Sequence, residues 1–137
     1  MEGFIPKAKS SRENRTALTP DSAEKLIAMG LSLSAEAGLG NRSGYPDKDF
    51  QEKGVNLTPD DSPAGQADLV LGLDLPTTES ISKLKPGSLF VGYLDPFFNL
   101  DLLKAFAEAK VSAISMEMVP RTTLAQKMDV LSSQMNI

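Results

Sequence analysis

Residues 67–118 read ADLVLGLDLPTTESISKLKPGSLFVGYLDPFFNLDLLKAFAEAKVSAISMEM. The run Ala67 to Leu73 is apolar enough for a central strand covered on both faces. Thr77 or Thr78 can cap a helix that carries Ile81 and Leu84, and Lys85-Pro86-Gly87 ends it. Ser88 to Leu94 reads as the next strand. Asn99 is placed to cap a helix with Leu102, Leu103, Phe106 and Ala109 on one face. Val111 to Met118 forms the last strand, with Ile114, Met116 and Met118 on one side. Strand, helix, strand, helix, strand is the rhythm of parallel pairing through crossovers.

Upstream the same rhythm is shorter and more broken. Gly3 to Pro6 suits a buried edge or first strand, and a basic polar loop, Lys7 to Arg15, follows it. Thr19-Pro20-Asp21 supplies an N-cap, a proline in the first turn and an acid near the positive helix end. Ala23, Leu26 and Ile27 recur at helical spacing until Gly30. Leu31 to Ala35 alternates as a half-buried strand does. A turn-rich segment, Gly38 to Asp47, leads to a short helical piece, Lys48 to Lys53, and a brief strand, Val55 to Leu57. The expected fold class is α/β, one domain over residues 1–137, with a doubly wound, mainly parallel sheet.

Composition narrows the chemistry. A chain of 137 residues with 41% hydrophobic and 23% charged residues can bury a single core. Its 14 basic and 18 acidic residues give a net charge of −4, which argues against nucleic acid as a partner. No apolar run approaches a membrane span and the N-terminus has no signal-peptide core, so direct membrane insertion is not expected and the simplest location is cytoplasmic. The chain has neither histidine nor cysteine. Thiol nucleophiles, zinc–thiolate sites and the commonest general base are thereby excluded. Carboxylates, Lys, Arg, Tyr, hydroxyls or a bound cofactor must carry any reaction, and no metal site is expected.

Two stretches invite a functional reading. Gly38-Leu39-Gly40-Asn41-Arg42-Ser43-Gly44 has the spacing G-x-G-x-x-x-G, one residue too long for a dinucleotide fingerprint. Tyr45-Pro46 stands where a phosphate-binding helix should begin, so turn glycines are the better reading. Residues 117–137, EMVPRTTLAQKMDVLSSQMNI, gather Arg121, Gln126, Asp129 and Ser132 just past the last strand. They form either a solvated loop entering an amphipathic helix or a binding site at a strand end. In a parallel sheet, Lys7, Arg12, Arg15, Asp74, Asp95, Glu117 and Arg121 would all line the C-terminal edge. An arginine there can grip a carboxylate or phosphate through its planar fork, or these charges can pair as a rim network.

The segment Pro6-Lys7 followed by Arg12-Glu13-Asn14-Arg15-Thr16-Ala17-Leu18-Thr19-Pro20 resembles the signature shared by alanine dehydrogenases and nicotinamide nucleotide transhydrogenases. Glu36-Ala37-Gly38-Leu39-Gly40 with Ser43-Gly44-Tyr45-Pro46-Asp47 is similar to their next common block. Pro120-Arg121, Ala125-Gln126, Met128-Asp129 and Leu131-Ser132-Ser133-Gln134 look like the transhydrogenase loop beside bound NAD(H). Ala8 and Met135 depart from the usual pattern.

This resemblance implies a flavodoxin-like N-terminal domain within the NAD(H)-binding component of a proton-translocating NAD(P) transhydrogenase. Arg121, Gln126, Asp129 and Ser132 would be its cofactor-binding residues. Lys7 and Arg15 would be candidates for clamping a substrate, and no residue would act as a catalytic acid or base. Family members carry a Lys after the fourth strand and a His after the fifth, where this chain has Asp74 and Asp95; that difference favours the transhydrogenase branch. The implied partners are an NADP(H)-binding component, a membrane-embedded component and a second copy in a homodimer. The chain would then be peripheral to the membrane, and the family's second, Rossmann-type domain is expected to be absent from it. Inactivity in isolation belongs to the same expectation. An alanine-dehydrogenase-like oxidoreductase domain and a non-catalytic interaction module are the alternatives.

Overall fold

A computed structural model describes residues 1–8, 16–95 and 99–116. The elements are β1 (Glu2–Ile5), α1 (Pro20–Ala28), β2 (Ser32–Glu36), α2 (Asp47–Glu52), β3 (Asn56–Thr58), β4 (Leu69–Leu71), α3 (Thr78–Ser82), β5 (Leu89–Gly92), α4 (Leu100–Ala109) and β6 (Ser112–Ser115). Every strand pairing is parallel, and the six strands lie in the order β3-β2-β1-β4-β5-β6. This is the doubly wound α/β class expected from the alternation of strands and helices. β1 is central, flanked by β2 and β4, which settles the reading of Gly3 to Pro6 as first strand rather than edge.

Alternation along each strand divides the core between two faces. Ile5, Leu69, Leu71 and Val91 pack with Ala23 and Leu26 of α1 and Phe50 of α2. Their neighbours Phe4, Val70 and Phe90 pack with Ile81 of α3 and Leu102 and Phe106 of α4. A strand whose consecutive side chains are all buried therefore reads as a continuous apolar run, as β4 does.

Local chemistry sets the helix starts. Thr19 Oγ1 accepts the Ser22 N–H at 3.2 Å, with Pro20 in the first turn and Asp21 beside it. Thr77, not Thr78, caps α3. Ser80 N–H donates to Thr77 Oγ1 at 3.1 Å, and Thr77 N–H donates to Ser80 Oγ at 3.0 Å, a reciprocal box with serine in the reaching-back position. Asn99 behaves differently from the expectation. It occupies the N-cap position of α4 without a side-chain cap, and its amide donates backwards to the carbonyls of Leu94 (3.2 Å) and Asp95 (3.0 Å). Leu103 is also corrected: it is 39% exposed while Leu102 and Phe106 are buried, because α4 offers the sheet only one stripe of side chains.

The N-terminal edge of the sheet is tied at Asp68. Its carboxylate accepts the Glu2 N–H at 2.9 Å and pairs with Lys85 Nζ at 2.6 Å, while its own N–H donates to the Glu2 carbonyl at 2.8 Å. The Glu2 N–H first, and the Lys85 ammonium second, hold the Asp68 carboxyl below its ordinary value. A depressed folded-state pKa stabilises the fold above the unfolded pKa, and the contribution disappears as pH falls through the folded value. Asp68→Asn is therefore expected to lower stability at neutral pH, with a difference from the parent that shrinks in acid. Urea unfolding of both proteins across the acidic range checks this; a difference that grew toward low pH would contradict it.

Ser88, immediately before β5, is 3% exposed, and its Oγ has no hydrogen-bond partner among the described residues. Burying an unmatched hydroxyl costs stability that an apolar side chain of similar size avoids. Ser88→Ala is expected to be neutral or to raise unfolding free energy by up to about 1 kcal/mol, read by urea denaturation.

Candidate functional site

Parallel pairing brings all six strand C-termini to one edge, and the chain reverses its winding there. α1 leaves β1 for one face of the sheet and α3 leaves β4 for the other, although β1 and β4 are neighbours. The crevice between their ends is where open α/β sheets accept ligands. Lys7 follows β1, Asp74 follows β4 and Asp95 follows β5, so the structure places these three on the edge where the sequence puts them. Arg12, Arg15, Glu117, Arg121, Gln126, Asp129 and Ser132 lie outside the described residues. The segment carrying Arg12 and Arg15 runs into the core immediately afterwards, with Thr16, Ala17 and Leu18 all buried. The last five of those seven follow β6 in the chain, and the C-terminus of β6 is on the same edge.

The loop after β2 is built around Lys7. Glu36 Oε1 accepts the Lys7 N–H at 3.1 Å, tying the exit of β1 to the end of β2. Asp47 Oδ1 accepts the Gly38 N–H at 2.8 Å, closing the loop onto the start of α2. Gly38 has φ +88, and a side chain there would stand 3.3 Å from both Lys7 Nζ and Asn41 Nδ2. Gly40 is closely packed by Tyr45 and Phe50. The glycines thus serve a compact turn containing one 3₁₀ turn, Asn41–Ser43, before the six-residue α2. No helix begins where a dinucleotide phosphate would need one, as the spacing of the glycines implies.

Beyond β5, Asp95 adopts a left-handed backbone conformation (φ 47), and the Asn99 amide bridges its carbonyl and that of Leu94. Asparagine and aspartate tolerate this region better than most residues, so the turn is held with little strain. Next to it Gly92 sits against the Gly72 carbonyl, where a Cβ would lie 2.8 Å away. The edge between β4 and β5 is therefore backbone flanked by Asp74 and Asp95. Glu36, Asn41, Asp47 and Asn99 also stand at this edge, where the sequence marked them only as parts of a block, a turn or a helix cap. The glutamate and aspartate belong to recognisable blocks, but their partners are backbone N–H groups that no sequence pattern announces.

Two shallow grooves lie between helices, one between α3 and α4 lined by Thr78, Ser82, Asp101, Lys104 and Glu108, the other between the start of α1 and α2. Among the described residues no cluster of carboxylates is placed to hold a metal ion, and no helix is long and apolar enough to cross a membrane. The described edge offers a switch-point crevice with Lys7, Asp74 and Asp95 following the strands that form it. Among the described residues it offers no glycine-fingerprint turn of the kind that holds a dinucleotide.

Known proteins resemble this chain along nearly its whole length. The family described as "Alanine dehydrogenase/PNT, N-terminal domain" matches residues 4–137. The NAD(P) transhydrogenase subunit alpha of Cereibacter sphaeroides is 34% identical over 138 residues, covering 100% of this chain and 26% of that protein. The crystal structure of transhydrogenase from Sinorhizobium meliloti superposes with a TM-score of 0.87 at 34% identity, covering 97% of this chain and 40% of the other. An alanine dehydrogenase of Halomonas elongata is 28% identical over 142 residues, covering 95% of this chain and 38% of its own. The chain thus spans well under half the length of these relatives.

Proposed function

The chain belongs to the alanine dehydrogenase/PNT N-terminal domain family, and from that membership we propose that it is part of the NAD(H)-binding component of an NAD(P) transhydrogenase. The observation that supports this reading is a likeness to NAD(P) transhydrogenase alpha subunits that runs from 29% to 35% identity over nearly the whole chain, against 28% and 29% for two alanine dehydrogenases. The carboxylates Asp74 and Asp95 at the ends of β4 and β5 agree with it. Amination chemistry needs groups that move protons, whereas hydride passing between two nicotinamide rings needs positioning alone.

In this reading Arg121, Gln126, Asp129 and Ser132, which follow β6 in the chain, hold the nicotinamide end of NAD(H). Gln126 and Ser132 orient the ring or its ribose; Arg121 and Asp129 fix the loop and the carboxamide. Lys7 and Arg15 serve as anion-holding groups. NAD(H) supplies the hydride, and the chain's own contribution is to fix the ring's distance and angle. A second, dinucleotide-binding lobe completes the site. An NADP(H)-binding component accepts or returns the hydride, a membrane-embedded component couples it to proton movement, and the NAD(H) component works as a homodimer at the cytoplasmic face. The chain by itself is inactive.

In the assembled transhydrogenase, Gln126→Ala and Asp129→Ala are expected to slow hydride transfer by about 10- to 100-fold, the cost of a ring displaced by about 1 Å. NADH affinity should change far less. Stopped-flow transfer to an NADP⁺ analogue, with NADH binding measured in parallel, separates the two. Unchanged transfer in both variants would remove these residues from the site, and alanine-dependent reduction of NAD⁺ would favour the dehydrogenase reading instead.

A further inference from the structure

β6 ends one side of the sheet, and among the described residues only β5 lies beside it. Ser112 N–H donates to the Ser88 carbonyl at 3.0 Å. Main-chain groups alternate in direction along a strand, so Ser112 and Ile114 bond toward β5 while the N–H and C=O of Ala113 point out of the sheet. Ala113 aligns with Phe90, which packs with α4, so its exposed side chain lies on the α4 face. α4 lies outside α3, because it joins β5 to β6. Its residues Asp101, Lys104 and Glu108 line the groove toward α3, and Leu102 and Phe106 are buried. At about 3.6 residues per turn, Leu103 and Ala107, both exposed, then face the opposite flank, above the β6 edge.

The two ends of the sheet differ in how they refuse partners. β3 is followed by Pro59, Asp60 and Asp61, and Thr58 Oγ1 donates to the Asp60 carbonyl at 2.7 Å. Proline and charge are among the usual protections of an edge. Residues 111–116, VSAISM, contain neither. We propose that β6 pairs antiparallel with β6 of a second copy of this chain, with a two-fold axis beside Ala113. A continuous sheet requires paired residues to share a face, and Ala113 opposite its own copy meets that requirement. Their outward N–H and C=O groups then exchange two hydrogen bonds, Ser112 lies opposite the copy's Ile114, and Leu103 and Ala107 of the two α4 helices meet above the seam. An uncharged strand with a small side chain at the axis is complementary to itself, which makes the occupant a second copy. The contact rests on the open strand rather than on the transhydrogenase reading, so neither falls with the other.

Analytical ultracentrifugation of the 137-residue chain over a concentration series tests this. The sedimenting mass is expected to rise from one chain to two and stop there, and the Ala113 amide to gain hydrogen-exchange protection as the dimer forms. Ala113→Glu sets two carboxylates against each other at the axis and should weaken pairing about tenfold. Leu103→Glu should act in the same direction through the helix flank. Both positions are exposed, so urea unfolding of the dilute variants should stay close to that of the parent. Mixing Ala113→Glu with Ala113→Lys should restore pairing, a rescue that damage to the fold cannot give. The proposal is overturned if the parent stays monomeric at every concentration, if species larger than two chains form, if both glutamate variants dimerise as the parent does, or if the mixed pair gains nothing over either variant alone.

Discussion

Phe50→Ala is expected to lower unfolding free energy by about 3–5 kcal/mol, the range for emptying a buried phenylalanine site. Phe50 is 0% exposed, packs with the α1 and β2 side of the core, and meets the Tyr45 ring edge-on at 6.4 Å between centroids. α2 has six residues and buries Phe50 alone, so it has no second anchor to redistribute the loss. Against a typical total of about 5–15 kcal/mol, the variant loses a large share of its stability. Urea unfolding measures the loss. Hydrogen exchange should also show the Gly38 amide, bonded to Asp47, opening more readily, because Leu39 and Tyr45 of the loop pack into the same cluster as Phe50. A loss under about 1 kcal/mol would mean that the site collapses to fill the space, contrary to the packing described.

Gly40→Ala is expected to cost about 2–3 kcal/mol for the opposite reason, too much volume rather than too little. The backbone at Gly40 (φ −105, ψ 5) is open to ordinary residues, so conformational strain is not the issue. A methyl group there would lie 2.7 Å from the Tyr45 carbonyl oxygen, 2.8 Å from the Phe50 ring and 2.9 Å from Tyr45 Cβ. One of these is backbone and another is a fully buried ring, so neither yields cheaply. A fall in melting temperature of roughly 10 °C is the expected reading for a domain of this size. An unchanged melting temperature would show that the turn moves freely away from α2.

The strands were legible because burial on both faces writes itself as an unbroken apolar run, and Ala67 to Leu73 and Ser88 to Leu94 are such runs. The parallel class followed from helices lying between them. Strand order did not follow: β1 is four residues long, and nothing in Glu2 to Ile5 announces that β4 rather than another strand lies beside it. Single side chains were misjudged where two readings share one residue type. Asn99 sits where caps sit, yet its amide serves the preceding carbonyls; Leu102 and Leu103 are alike in sequence and opposite in exposure. At the candidate site, Lys7, Asp74 and Asp95 could be found from the strand-end rule alone. Glu36 and Asp47 could not be assigned roles, since they act on main-chain N–H groups 29 and 9 residues away.

The pairing of β1 with β4 bears on how the chain comes to exist. Gly3 aligns with Leu69, so the middle of the sheet joins residues made early in synthesis to residues made much later. A segment emerging from the ribosome can assemble β1, α1 and β2 from neighbours already present. The other side of β1 has no partner until Leu69–Leu71 appears. Contacts of such long sequence separation close a large loop before they are rewarded, which makes them slow to form. Until then an apolar strand edge stands open beside the nascent chain, the kind of surface other polypeptides add to. The centre of this fold stays open until the β1–β2 side is already built.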